Sequence, residues 1–177
     1  MRRPAILLPI LLALALAGWF LLPFLLPNTA FYRRRRPTRL GKMTNRVMSL
    51  YSSLGLPPSW QVTLEVRGRR SGRVCSTVLV CADHDGERYL VSMLGENAEW
   101  VRNVRAAGGD AVIRHGRRRR VRLEEVAVGQ RAPILKAYLK RAIGARPHFD
   151  LSPEADVEEF ERVADRYPAF RAIDAAV

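Results

Sequence analysis

The spacing of hydrophobic positions changes character three times along the chain. From Ala5 to Pro27 they are unbroken, AILLPILLALALAGWFLLPFLLP, 23 residues without a charge. As a helix this run would extend about 34 Å at ~1.5 Å per residue, enough to cover a hydrocarbon core of roughly 30 Å. Pro9 and Pro23 are tolerated in membrane helices, and Trp19, Phe20, Phe31 and Tyr32 suit the two interfaces. The pattern predicts one N-terminal transmembrane helix. A cleaved signal peptide is the alternative, because Ala15-Leu16-Ala17 resembles a cleavage site, yet the apolar run continues past it to Leu26. The Arg2-Arg3 pair lacks the polar flanks of a twin-arginine export signal.

The second rhythm is helical. Leu40, Met43, Val47, Leu50, Tyr51 and Leu54 recur at spacings of three and four, an amphipathic stripe ended by Gly55 and Pro57-Pro58. It is expected to pack on the domain, or else to lie on the membrane. The third rhythm is that of strands, over 61–68, 74–82, 87–93, 110–116 and 120–128. Arg70-Ser71-Gly72, Asp85-Gly86 and His115-Gly116 supply tight antiparallel turns between them. The longer gap 95–109 reads as a crossover helix, stopped by Ala106-Ala107-Gly108-Gly109. The tail predicts a helix at about 129–142, another capped by Ser152 with Pro153 at its first position, and an edge strand over Ala169 to Ile173. Five to six short strands with few helices give an α+β domain, a small closed or half-open antiparallel barrel over 37–177, after a membrane anchor and basic stop sequence over 1–36.

Charge adds an orientation. The chain carries a net +13, of which six Arg within residues 1–36 leave +7 on the remainder. Arg33 to Arg36, Arg39 and Lys42 follow the apolar run closely, against Arg2, Arg3 and the amino terminus before it. The positive-inside rule then predicts a single-pass protein of the cell membrane with its C-terminal domain cytoplasmic, the basic cluster resting on anionic headgroups. The Arg clusters lack interleaved aromatic residues, which argues against nucleic acid. Cys75 and Cys81, six apart, read as two buried thiols on one strand face, with no metal or redox spacing.

Candidate chemistry is concentrated in one turn. Gly68-Arg69-Arg70-Ser71-Gly72-Arg73 joins two strands and combines glycines that can turn backbone amides toward an anion with guanidinium forks and a hydroxyl, a set fit for phosphate. A solvated hairpin tip is the plain alternative. The second run, Arg117 to Arg120, reads as solvated charge at a turn, and Glu124-Glu125 and Glu158-Glu159 as exposed charge. His115 and His148 stand singly and no GxSxG, HExxH or P-loop pattern occurs, so hydrolytic and metal-dependent chemistry lack candidates.

GRRSGR before a strand, a strand ending in VSMLGEN, then AEWVRNVRA, a hairpin and a terminal RYPAF together resemble the deazaflavin-dependent nitroreductase and quinone reductase family of actinobacteria. The resemblance is closest over residues 60 to 127. It implies a split β-barrel, coenzyme F420 as hydride carrier, quinones or nitroaromatic compounds as acceptors, and pairing into a homodimer. Flavin mononucleotide is the alternative cofactor, and a non-enzymatic basic module for anionic lipid the alternative function. By position the resemblance puts Arg69, Arg70, Ser71 and Gly72 on the cofactor's phosphate and acidic tail. Ser76, Thr77 and Leu79 would line its channel, Ser92, Met93, Leu94 and Gly95 would wrap the ring, and Trp100, Val101 and Asn103 would complete the site. Trp100 serves equally as core packing. No catalytic side chain is required, but Ser92, Tyr138 and Tyr167 are candidates to relay a proton. The chain departs from the family's pattern at Cys75, where Arg is common, at Val78, where Pro is usual, and near position 95, where a basic residue is missing; Arg102 or Arg105 are its candidate replacements.

Overall fold

The computed structural model describes Gly18, residues 28–33 and residues 36–175. Apart from Gly18 the predicted membrane span, 5–27, lies outside these, as do Arg34 and Arg35. Among the described residues no helix is long and apolar enough to cross a membrane. The chain divides into two compact units, residues 1–48 and 49–177.

In the first unit a short helical turn, Asn28–Phe31, leads to a two-residue ladder that pairs Tyr32 with Pro37 and Arg33 with Arg36. Helix α1 (Arg39–Ser53) begins there and ends in the second unit. Thr38 caps it: its Oγ1 accepts from the Gly41 N–H at 3.1 Å and donates to the Ala30 carbonyl at 2.6 Å. Gly41 is required there, since a Cβ would stand 2.4 Å from the Phe31 carbonyl oxygen.

The second unit is a closed barrel. Its strands are β1 (Gln61–Arg67), β2 (Val74–His84), β3 (Glu87–Val91), β4 (Asp110–His115), β5 (Arg117–Glu125) and β6 (Ala169–Asp174). Around the barrel they run β1-β2-β3-β6-β5-β4, and β4 pairs back onto β1, every pairing antiparallel. Strand alternation fills the interior with Val62, Leu64, Val66, Cys81, Leu90, Ile113, Val121, Leu123, Phe170 and Ala172. Helix α2 (Glu99–Ala106) contributes Trp100, Val101 and Val104 to the same cluster, Trp100 edge-on to Phe170 at 5.4 Å. The opposite parity of β2, β3 and β6 places Ala82, Val91 and Ala169 in a second cluster beneath α3 (Arg131–Arg141), with Phe160 of α4 (Val157–Glu161) and Tyr167.

Several expectations need correcting. The C-terminal strand is not an edge, because β6 pairs with both β3 and β5 and closes the barrel. The last α-helix starts at Val157 after Asp156, not at Ser152, whose hydroxyl accepts only from Glu154 N–H in an isolated turn. The crossover helix is confined to Glu99–Ala106; Gly109 ends it at φ +90°, where a Cβ would meet the Leu123 carbonyl at 2.6 Å. Arg117 to Arg120 lie inside β5 rather than in a turn. Cys75 is exposed and only Cys81 is buried. The predicted apolar stripe of α1 is not its buried face: Thr44, Met48, Ser49 and Ser52 are buried, while Met43, Leu50 and Leu54 are exposed. The reason is polar matching. Ser52 Oγ donates to the Arg114 carbonyl at 3.0 Å, Ser49 Oγ accepts from Thr63 Oγ1 and from Arg114 Nη2, both at 3.3 Å, and the Gly116 N–H donates to the Ser52 carbonyl at 2.9 Å.

One carboxylate ties the helices to the barrel. Glu125 on β5 accepts from Arg105 of α2 at 2.8 and 2.6 Å and from Arg131 of α3 at 3.1 Å. Arg105 also pairs with Glu96 at 2.6 Å, and the buried Arg131 donates to the Val126 and Ala164 carbonyls. The Arg105 guanidinium, with Arg131 adding to it, holds the Glu125 carboxyl below the usual carboxylate range. A carboxylate with a depressed folded-state pKa stabilises the fold fully above its unfolded pKa of ~4.3 and loses that contribution as the pH falls through the folded value. Glu125→Gln should therefore cost about 1 kcal/mol at pH 7, the partial exposure of Glu125 being allowed for. Urea melts of the two proteins should converge as the pH is lowered below ~4.3.

Candidate functional site

β1 and β2 are joined by the Gly68–Arg73 turn, and the turn is fastened to α2 rather than left in solvent. Arg69 is the fastener. Its Nη1 lies 2.7 Å from Glu99 Oε2, its Nη2 3.3 Å from Glu99 Oε1, and Asn103 Oδ1 accepts from both Nη1 at 2.9 Å and the Arg69 backbone N–H at 3.2 Å. Glu99 sits in the first turn of α2, and the guanidinium beside it holds its carboxyl below the ordinary range. A cavity of about 340 Å³ opens beside this junction, lined by Arg67, Gly68, Arg69, Gly72, Ala106 and Ala107.

The turn is not the nest of amides expected from its glycines. Gly68 N–H donates to the Arg73 carbonyl, Gly72 N–H to the Gly68 carbonyl, Arg73 N–H to Ser71 Oγ, and Arg69 N–H to Asn103. The backbone N–H groups of Arg70 and Ser71 remain. Arg67, Arg70 and Arg73 make no ion pair among the described residues and are exposed. The anion-binding capacity thus rests on three guanidinium groups and two amides. Gly72 has φ +67°, and a Cβ on Gly68 would come 2.9 Å from Cys75 Sγ, so both glycines serve the shape of the turn.

The other sequence-derived candidates scatter. Thr77 and Leu79 share the parity of Cys81, while strand alternation turns Ser76 to the opposite face, so the three do not line one channel. Ser92 is buried; its hydroxyl donates to the Gly95 carbonyl at 2.8 Å and its N–H to the Pro168 carbonyl, which makes it the brace of the loop after β3. Gly95 is the positive-φ corner of that loop, at φ 79°. Leu94 packs on the barrel cluster and Met93 on the second cluster. Trp100 and Val101 are core residues. Tyr138 and Tyr167 belong to the second cluster, and Tyr167 Oη donates to the His148 carbonyl at 2.7 Å. Arg105 is committed to Glu96 and Glu125, and Arg102 bonds Asn97.

Sequence reasoning did not place Glu99 at the site, and it read Ala106 and Ala107 only as the end of the crossover helix. The available signal was the position of Glu99 one turn before Asn103 on the helix face that carries it. The Arg117–Arg120 run is exposed, as expected of solvated charge, but one of its members has a buried partner. Arg118 Nη2 and Arg114 Nε lie 2.6 and 3.1 Å from the buried Glu65 carboxylate, and a cavity of about 350 Å³ lined by Val112, Arg118 and Arg120 adjoins them.

Against this geometry, the family model of F420H(2)-dependent quinone reductases matches residues 39–147, which hold the turn, α2 and five of the six strands. The chain belongs to the F420H2-dependent quinone reductase family. Its cofactor is therefore coenzyme F420 rather than flavin mononucleotide, and it is an oxidoreductase. No curated protein matches it. Among solved structures, Atu2129 of Agrobacterium tumefaciens str. C58, described as of unknown function, is similar with a TM-score of 0.50 at 13% identity, over 85% of this chain and 60% of that one. An F420-H2 dependent reductase, FDR-A, is 19% identical over 64% of this chain and 93% of its own, TM-score 0.42. Rv2991 of Mycobacterium tuberculosis is 14% identical over 66% and 73%, TM-score 0.44. These are likenesses of fold.

The donor set fits the cofactor the family uses, since a phosphodiester with an acidic tail calls for several guanidinium groups without ion pairs, and the turn carries Arg70 and Arg73 next to Arg67, which lines the cavity. Two tests follow from the site. Asn103→Ala removes the acceptor that holds both ends of Arg69, and should lower F420 affinity by about tenfold while Trp100 fluorescence and thermal unfolding stay near wild type. Burial pushes the Cys81 thiol up to about 11. At pH 8 an alkylating reagent should therefore modify Cys75 alone in the folded chain and both cysteines after denaturation, as read by peptide mass.

Proposed function

We propose that this chain transfers hydride from reduced F420 to a quinone, holding the cofactor's anionic end on the Gly68–Arg73 turn and meeting its acceptor at a membrane. The observation that carries the reading is the set of guanidinium groups of Arg67, Arg70 and Arg73, without ion pairs among the described residues, on the segment whose Arg67, Gly68, Arg69 and Gly72 line the cavity at the end of α2. When bound, the reduced deazaflavin supplies the hydride.

The chain's own residues do the rest. Arg67, Arg70 and Arg73 hold the anionic end, with the Arg70 and Ser71 amides free to add hydrogen bonds. Arg69, fixed by Glu99 and Asn103, keeps the turn in register with α2, so the cavity has one shape before the cofactor arrives. Gly68 and Gly72 let the turn bend without a side chain in its path. Proton delivery to the reduced acceptor falls to solvent. The Ser92 hydroxyl is bonded to the Gly95 carbonyl and the Tyr167 hydroxyl to the His148 carbonyl, both inside the fold.

A quinone is favoured over a nitroaromatic acceptor because residues 5–27 are uncharged and followed by a basic run, the composition of a membrane anchor. A domain held at the headgroups, facing the cytoplasm, reaches lipid-dissolved acceptors without crossing water. Binding of oxidised and reduced F420, followed by its fluorescence, tests the first half. Arg70→Ala should weaken it by about tenfold and Ser71→Ala less, and unchanged binding in both would place the cofactor elsewhere. Turnover of a membrane-borne quinone tests the second half. A chain beginning at residue 37 should turn over such a quinone more slowly than the full chain while reducing a water-soluble quinone equally well; equal rates on the membrane-borne quinone would contradict the anchor's role.

A further inference from the structure

Seven large apolar side chains are exposed among the described residues; Val74, Val128 and Ile143 stand apart, and the other four gather along α1 and the turn that follows it. Met43 and Leu50 are 48% and 60% exposed on α1; just beyond its end Leu54, whose N–H still bonds the Leu50 carbonyl, is 63% exposed and Leu56 36%. At 100° per residue the seven and four residues separating Met43, Leu50 and Leu54 put them on one stripe of the helix, with the half-buried Val47 on the same side. The buried face, Thr44, Met48 and Ser52, points the opposite way. Beside the apolar stripe the same spacing places Arg39, Lys42 and Arg46, all exposed. No acidic residue occurs anywhere in α1. The helix therefore has three faces: a buried polar one, an exposed apolar one, and a cationic one flanking it.

A solvated helix would present polar residues on its outer side, and here that side is the apolar one. We infer that the outer face of α1 lies in the interface of an anionic lipid bilayer, with Met43, Leu50 and Leu54 among the acyl chains and Arg39, Lys42 and Arg46 at the phosphates. Three observations select a bilayer as the occupant. The stripe is narrow, Met43, Leu50 and Leu54, against the roughly 20–30 residues a side of a stable protein interface. Its flank is purely cationic, which repels a second copy of itself and attracts anionic headgroups. It also begins sixteen residues after Pro27, the end of an uncharged 23-residue run, in a chain whose intervening residues are basic. An apolar stripe beside a cationic one is the composition of an interfacial helix that lies in the membrane plane rather than across it.

The inference does not depend on where the cofactor binds, and it can fail while the anchor reading stands. The test uses the full chain with Cys75→Ser, so that Cys81, buried, leaves no reactive native thiol. Leu50→Cys carries an environment-sensitive fluorophore, and Val128→Cys, 45% exposed outside α1, serves as the control. The protein is reconstituted into vesicles of phosphatidylcholine alone or mixed with phosphatidylglycerol, and flotation establishes separately that the chain is attached. In the mixed vesicles the Leu50 probe should shift to the blue, lose emission to a lipid-borne quencher and be shielded from aqueous iodide, while the Val128 probe shows none of these. Less phosphatidylglycerol or more salt should weaken the effect. Attached protein whose Leu50 probe remains open to iodide, as Val128 is, would overturn the inference. So would a blue shift that appears in detergent alone and grows with protein concentration, because a second copy would then be the cover.

Discussion

Closure of the barrel by the last strand is the constraint on which the rest depends. Residues 169–174 are far in sequence from β3 and β5, yet they pair with both, and without them the sheet would open between those two strands. Closure carries Phe170 into the interior, where it meets Trp100 edge-on and so seats α2. It also sets the Ala169 carbonyl to receive the Val126 N–H and the Pro168 carbonyl to receive that of Ser92, which fixes the two loops flanking the strand. A fully closed antiparallel sheet has no free edge, which suits a small domain with exposed apolar residues elsewhere.

From that seat the site follows by electrostatics. α2 presents Glu99 and Asn103 to the turn after β1, and Arg69 takes both. On the other side of α2, Arg105 and Glu125 hold it to β5. Much of the positive charge of the domain is spent in such pairs, with Glu65 holding Arg114 and Arg118, Glu124 holding Arg171 and Asp83 holding Arg141. The turn differs in keeping Arg67, Arg70 and Arg73 out of ion pairs among the described residues. One arginine of the GRRSGR motif is structural and two are available, a division that the motif itself does not show.

What was legible in the sequence was local. Period-two alternation found five strands, and glycine pairs found the β2–β3 and β4–β5 hairpins and the end of α2, because each signal lies within a few residues. The role of β6 was not legible, since a six-residue strand such as Ala169–Asp174 looks the same at an edge and in the middle of a barrel. The buried side of α1 was misjudged because hydrophobicity was taken as the guide, whereas Thr63 and the Arg114 backbone required serines opposite them. Cys75 was expected inside by strand parity with Cys81, but β2 runs beyond the covered part of the barrel at its N-terminal end. The glycines of the turn pointed to backbone amides as anion donors, and internal bonds had already used most of those amides. The family resemblance pointed to the turn and α2, but it did not show that Arg69 is tied to Glu99 and Asn103 while Arg70 and Arg73 are left without ion pairs among the described residues.

The most direct measurement is the movement of backbone amide resonances of the ¹⁵N-labelled chain when oxidised F420 is added. If the cofactor's anionic end sits where we place it, the amides of Arg70 and Ser71 shift first and furthest, and those of Arg118 to Arg120 on β5 stay where they are. Shifts confined to β5, with Arg70 and Ser71 unmoved, would put the anion at the cavity lined by Arg118 and Arg120 and contradict the account.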